Sequence, residues 1–395
     1  MVGVSHDHLP VAFREKVALD ADQRRSARIA VQMEFPGCET VVISTCNRTE
    51  LFLATGPDSM PITEERAETI FRKCLQGAQQ LPQESLRFHS GADALHRLCR
   101  IASGLESLIL GEPQILTQIR NQFQEALTDG TARSLSQRIF AGAMACGKAV
   151  RNSTRLAHHG HGVPAVAVDY SLQLIRKPNP VVAILGRSDL AAQLARRLRI
   201  RCQPEILTVH RCPGKARAFA SHIGAQPRTL ADYPEFLAEV DIFLCAATTG
   251  LDQPLAPPEN LPYLPQVVLD LTVPRQLSSQ WASLSHRLTF HDLETLASAA
   301  PQSATETQAD LFAAAAMAAR HARLLLAQLS NTTSPQLQDL LSEKVLQGLT
   351  SLISRHESGR ISTHHLVELA IRLAAQELSS SASSSSATFS ADEIR

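Results

Sequence analysis

Apolar positions change their spacing along the chain, and the changes divide it. Glu39-Thr-Val-Val-Ile-Ser44 is a β-branched run that predicts a buried strand. From Ala92 to Leu110 apolar residues fall at 95, 98, 102, 105 and 109, and from Gln114 at 115, 119, 123, 126 and 127, so two helices are expected. Gly111-Glu112-Pro113 breaks the first, and its proline suits the first turn of the second. From about residue 180 short apolar runs alternate with helical patterns: Val181–Leu185, Ile206–Val209, Asp241–Leu244 and Gln266–Leu271. Such alternation predicts a parallel, doubly wound sheet whose ligand crevice lies at the carboxyl ends of its strands. Beyond about 304 the chain is rich in alanine and leucine, with candidate helices at Thr305–Leu329 and Leu337–Ile353.

The expected fold class is therefore α/β: an α/β N-terminal domain over 1–150, a Rossmann-like domain over 160–300 and a helical region over 304–378. The serine-rich end, 379–395, has the composition of a disordered tail. A chain of 395 residues exceeds what one hydrophobic core supports, which agrees with several domains. Apolar residues make up 44% and charged residues 19%, and no run is long enough to span a bilayer, so a soluble cytoplasmic protein with no membrane partner is expected. Lys plus Arg equals Asp plus Glu at 38 each, so any RNA must be met by a local patch. Eight scattered cysteines form no C-x-x-C pair, which argues against a disulfide framework or a structural zinc.

Candidate chemistry concentrates where the first strand ends. Ser44-Thr-Cys-Asn-Arg-Thr-Glu-Leu51 sets the thiol of Cys46 beside hydroxyl, amide, guanidinium and carboxylate groups. A thiolate is the reactive species, and Arg48 is the local cation to favour it. An isolated cysteine in a polar turn is otherwise an ordinary small buried residue. Gly186-Arg-Ser-Asp-Leu-Ala191 after the strand at 181–185 has one glycine where a phosphate-binding turn commonly has several, and by itself is a weak nucleotide signal. His158-His-Gly-His161 lacks the cysteines or carboxylates of a metal site and is read as a linker, so no metal is expected.

Taken together, Ser44–Leu51 resembles the S-T-C-N-R-T-E signature of the glutamyl-tRNA reductase family. Ile101–Gln118 is similar to that family's V-A-S-G-L-D-S-x-x-L-G-E-P-Q-I-L-G-Q, and Gly3–His6, Pro10-Val11, Arg14-Glu15 and Asp270–Arg275 add weaker matches. The resemblance runs from residue 3 to about 300. It implies NADPH-dependent reduction of glutamyl-tRNA(Glu) to glutamate-1-semialdehyde through a thioester on Cys46, the first step of tetrapyrrole formation from glutamate. It implies substrate contacts from Thr45, Asn47, Arg48, Ser107, Glu112, Pro113, Gln114 and Gln118, with Arg48 pairing the substrate's side-chain carboxylate. It also implies cofactor contacts from Gly186, Arg187, Ser188, Asp189, Leu190 and Ala191, and Arg211 at the 2′-phosphate that separates NADP from NAD. A homodimer joined through the C-terminal helices and partnership with the aminomutase that takes the aldehyde follow from the same resemblance.

Two positions depart from the family. Arg97 stands where A-V-x-H-L carries a histidine important to activity, and His96, one residue earlier, is the catalytic candidate, with His89 an alternative. Ser188 replaces the second glycine of the cofactor loop, where its N–H and hydroxyl remain available to a phosphate. These departures keep open a weakly active or regulatory paralogue, and, from another class, a dehydrogenase of a small free metabolite.

Overall fold

The computed structural model describes residues 1–56, 62–154, 162–246, 253–259, 263–299 and 306–329. His158, His159 and His161, the expected helix 337–353, the tail 379–395 and most of the region expected to dimerise lie outside them. One compact unit covers Met1–Ala318 and a second Ala319–Arg395. Helix Glu306–Leu329 begins within one residue of its expected start.

The first sheet is antiparallel throughout. Strands β1 (Val2–Ser5), β2 (Glu39–Ser44), β3 (Arg48–Ala54) and β4 (Arg87–Phe88) lie in the order β2-β3-β1-β4. β2 and β3 form a hairpin whose register runs from Glu39↔Ala54 to Ser44↔Thr49, and β1 lies along the other edge of β3 with Ser5 opposite Arg48. Side chains alternate across the pleat. Val42 and Leu51 join Val31, Ile70 and Phe71 under helices Ala21–Glu34 and Glu64–Cys74. On the opposite face Phe52 meets Phe140 edge-on, and Phe140 stacks on Phe123 at 4.8 Å, which docks helices Gln114–Thr128 and Ser134–Ser153.

The expected helix over 92–110 stops at Ala102. Gly104, at φ +76°, takes the left-handed conformation that closes a helix, and Leu105 N–H turns back to the Arg100 carbonyl at 3.0 Å. Residues 103–113 then form a loop tied at its neck by Gly111 N–H to the Gly104 carbonyl, 3.0 Å. The helical spacing of Leu105 and Ile109 thus had another cause. Leu105 is buried within the loop, while Leu108 and Ile109 pack on the core of the second sheet.

That second sheet is parallel, with strands β5 (Val181–Leu185), β6 (Glu205–His210), β7 (Gln226–Thr229), β8 (Ile242–Cys245), β9 (Val267–Asp270) and β10 (Thr289–Asp292) in the order β10-β9-β8-β5-β6-β7. The order reverses between β5 and β8, and open sheets of this kind bind ligands beyond the strand ends at that point. Leu185-Gly186 and Cys245-Ala246 occupy it. Helices Val163–Ile175 and Asp189–Arg201 cover one face, and Tyr233, Phe236 and Trp281 cover the other.

Among the described residues, three side-chain pairs join the two sheets' halves. Arg275 holds Glu15 through two bonds of 2.8 and 3.0 Å, Arg14 pairs with Glu294, and Gln114 donates to Gln193 at 2.9 Å.

Helices Gly91–Ala102 and Ser134–Ser153 touch at Gly147, where a Cβ would stand 2.4 Å from the Ala102 carbonyl oxygen. Gly147→Ala should therefore force the helices apart and lower stability by about 1–3 kcal/mol, measured as a reduced urea midpoint by far-UV circular dichroism.

Candidate active site

Thr45, Cys46 and Asn47 make the turn of the β2–β3 hairpin. Thr45 N–H donates to the Arg48 carbonyl at 2.8 Å, and Asn47 N–H to Thr45 Oγ1 at 3.2 Å. The turn is pinned from beneath by Gln122, whose side chain accepts from Ser44 N–H at 3.1 Å and donates to its carbonyl at 2.6 Å. Buried Arg14 holds it from the side, donating to the carbonyls of Leu9 and Cys46 while it pairs with Glu294. One guanidinium thus fixes the thiol-bearing turn to the second sheet.

Cys46 opens into a cleft of ≈ 1060 Å³ between the two sheets. On one wall stand Glu15, Lys16, Gln23, Thr45 and Cys46; on the other stand Gly186, Arg187, Ser188, His210, Arg211 and Lys215. The second wall is cationic. Burial, then Lys215, Arg187 and Arg211, lower the pKa of the His210 imidazole, so these three charges converge around it. Gly186 sits at φ +113°, a conformation that lets backbone N–H groups turn outward. Ser188 caps helix Asp189–Arg201: its hydroxyl accepts from Ala191 N–H at 3.2 Å and donates to the Ala246 carbonyl at 2.5 Å. The hydroxyl expected to meet a phosphate is therefore engaged, leaving backbone N–H groups for that task. Asp189, Leu190 and Ala191 form the first helical turn behind the cleft, with Ala191 in the core.

Arg48 points away from this cleft, into the protein. Its Nη1 pairs with Glu50 at 2.9 Å and its Nη2 donates to the Glu106 carbonyl. Arg97 grips the same carboxylate through Nε at 3.0 Å and Nη2 at 2.9 Å, and also donates to Ser5 Oγ at 3.0 Å. Burial works against the Glu50 charge, but Arg48 and Arg97 outweigh it and hold the carboxyl below its usual range. Arg97, at the position of the family's histidine, thus serves a buried ion pair. His96 is turned roughly 100° from it on the helix and is not among the residues lining the cleft. His89 lies level with Met1, at the end of β1 away from Ser5.

The arrangement works against the expected thiolate. Burial chiefly, then the Glu112 carboxylate, push the Cys46 thiol up to about 12 against the opposing pull of Arg14 and Arg48. Cys46 packs on the apolar core of the second sheet, which accounts for the burial. Glu112, 3% exposed, is itself raised to about 7 by burial, despite Arg151 and Arg48. Ser107 is buried in the same 103–113 loop, Pro113 precedes helix Gln114–Thr128, Gln114 bonds Gln193, and Gln118 is half-buried one turn further on. None of these five lines the cleft. Arg14, Lys16 and Lys215 entered the site through tertiary contacts, and of them only Arg14 had a sequence signal, in the Arg14-Glu15 match.

A carboxyl raised from 4.5 to about 7 in the folded state binds a proton that the unfolded chain has lost. Stability should fall as pH climbs from about 4.5 through 7, by up to ~3 kcal/mol. Glu112→Gln should abolish this slope in urea titrations at pH 5 and 8, and should quicken iodoacetamide capture of Cys46 at pH 8. An unchanged slope in the variant would place the cause elsewhere.

Known proteins resemble this chain over much of its length. The family described as "Glutamyl-tRNAGlu reductase, N-terminal domain" matches residues 2–154. A glutamyl-tRNA reductase of Thermus thermophilus is 31% identical over 294 residues, 74% of this chain and 70% of the relative. One from Syntrophotalea carbinolica is 30% identical over 71% of this chain, and the match spans 64% of that relative's length. Among solved structures, the glutamyl-tRNA reductase from Methanopyrus kandleri aligns with 96% of this chain and 92% of its own at 18% identity, with a TM-score of 0.44. With its Cys46 hairpin and these sequence relatives taken together, this chain belongs to the glutamyl-tRNA reductase family.

Proposed function

We propose that this chain takes the glutamyl group from glutamyl-tRNA onto Cys46 as a thioester and presents it for reduction to the aldehyde by NADPH. One observation carries the proposal: a single cleft is lined both by Thr45 and Cys46 and by Gly186, Arg187, Ser188 and Arg211. Acyl acceptor and nucleotide loop therefore share one solvent space.

The second wall suits a phosphorylated dinucleotide. Gly186 at φ +113° and the N-terminus of helix Asp189–Arg201 supply N–H groups for a pyrophosphate, and Arg187, Arg211 and Lys215 supply positive charge. When bound, the nicotinamide group supplies hydride.

The chain's own residues handle the acyl transfer. An aminoacyl ester is activated where a free carboxylate is not, and exchanging it for a thioester divides a hard reduction into two easier steps. The Cys46 sulfur–carbon bond forms as the bond from carbonyl carbon to ribose oxygen breaks, and the thiol proton ends on that ribose hydroxyl. A thiol pushed up to about 12 releases its proton in the course of attack, not beforehand. Arg14 holds the backbone of the turn still while this happens.

Cys46→Ser should fold as the wild type but form no hydroxylamine-sensitive glutamyl adduct when given glutamyl-tRNA without NADPH, since a serine hydroxyl is a far weaker nucleophile. Persistence of the labile adduct in that variant would move the nucleophile to another residue. Arg211→Ala should weaken NADPH by roughly 10- to 100-fold and leave NADH nearly unaffected, as expected for one lost charge-assisted hydrogen bond. Equal weakening of both cofactors in fluorescence titrations would remove Arg211 from the 2′-phosphate.

A further inference from the structure

Two cysteines that take no part in the acyl chemistry, Cys99 and Cys146, meet where helices Gly91–Ala102 and Ser134–Ser153 cross. Both are fully buried, and the Cys99 thiol is hydrogen-bonded to the Cys146 sulfur. Ser103 Oγ marks the same point, lying 3.7 Å from Cys146 Sγ while it donates to the Cys99 carbonyl at 2.7 Å. The helices approach closely here because their facing residues are small: a Cβ added at Gly147, next to Cys146, would stand 2.4 Å from the Ala102 carbonyl oxygen. A disulfide joins α-carbons about 4.4–6.8 Å apart, a span within reach of two backbones packed this tightly. All eight cysteines are free thiols in this structure.

The two sulfurs are unequal. The bond from Cys99 draws the Cys146 thiol below its usual range against burial, while the same bond and then burial push Cys99 up. Cys146 is therefore the sulfur that attacks an oxidant, and Cys99 the one that resolves the product.

Both helices hold the 103–113 loop. The first runs into it one turn beyond Cys99. The second clamps its far end one turn beyond Cys146, where Arg151 donates to the carbonyls of Pro113 at 3.0 Å and Glu112 at 3.2 Å. Glu112 in turn bears on the Cys46 thiol. A bond between the helices ties both anchors of this loop at once.

We propose that Cys99 and Cys146 form a reversible disulfide when the protein meets hydrogen peroxide, and that this bond locks the 103–113 loop and slows reaction at Cys46. Peroxide is small and uncharged, and it reaches the pair when the helices part in local opening. The Cys146 sulfur takes one peroxide oxygen as the O–O bond breaks, giving a sulfenic acid and one water. The Cys99 sulfur then displaces that oxygen as a second water and closes the S–S bond. Two electrons pass from the sulfurs to the peroxide, and both thiol protons leave in the waters. A dithiol reductant restores the two thiols.

The test treats the full-length protein with hydrogen peroxide, removes the excess with catalase, and maps unreduced peptides by mass spectrometry before and after dithiothreitol. A linked Cys99–Cys146 peptide that dithiothreitol separates is expected. Iodoacetamide capture of the Cys46 that remains reduced should be slower in the linked protein by about tenfold or more, because a cross-link suppresses the opening through which a buried thiol reacts. Cys99→Ala and Cys146→Ala, each lacking one partner, should show the same capture rate before and after peroxide. Cys99 and Cys146 both remaining free once the exposed Cys212 is fully oxidised would overturn the pairing, as would sulfinic acid at Cys146 in place of the link. A link that leaves the Cys46 rate unchanged, or slowing that persists in both variants, would overturn the lock.

Discussion

A buried carboxylate between two guanidinium groups governs what the Cys46 hairpin can do. Glu50 sits on β3, two residues past Arg48 and on the same face, so both side chains point beneath the turn that carries the thiol. Arg97 reaches the same carboxylate from helix Gly91–Ala102 and ties in Ser5 from β1. A buried ion pair of this kind contributes little net stability, but removing one member leaves an uncompensated charge costing about 3–5 kcal/mol. The network therefore acts as a constraint: sheet, helix and the 103–113 loop must keep one arrangement, because every alternative strands a charge. Arg97 fits this role in a way that an imidazole with fewer donors could not.

Arg14 extends the constraint across the two halves. It accepts no alternative geometry easily, since its donors end on Leu9, Cys46 and Glu294, which belong to three separate segments. The Glu15–Arg275 pair lies next to it and joins the same halves. Together they hold the thiol-bearing turn against the cleft that the parallel sheet opens at its switch point. The chemistry of a family member thus depends on where two sheets meet, with neither sheet supplying the site alone.

Cost and function are linked at Cys46. Packing the thiol against the core of the second sheet raises its pKa, and a raised thiol holds less of the nucleophilic thiolate. Glu112, itself raised to about 7, acts on the thiol from the 103–113 loop, so the sulfur's electrostatic environment changes with the protonation of one buried carboxyl.

Local sequence determined much of this protein. The β-branched run at 39–44, the strands at 181–185 and 206–209 and the start of helix Glu306–Leu329 follow from spacing and propensity, which act over a few residues. Gly186 and the Ser44–Leu51 cluster likewise stand out by residue type, and Gly186, Ser44, Thr45 and Cys46 line one cleft. Tertiary structure alone decided three things. It turned Arg48 inward onto Glu50, because a guanidinium's partner depends on what folding brings near it. It ended the helix at Ala102, because Leu105, Leu108 and Ile109 gain their burial in a loop against neighbouring cores, an outcome that helical spacing imitates. And it set Arg14 between the Cys46 carbonyl and Glu294, since partners drawn from such distant segments meet only in the folded chain.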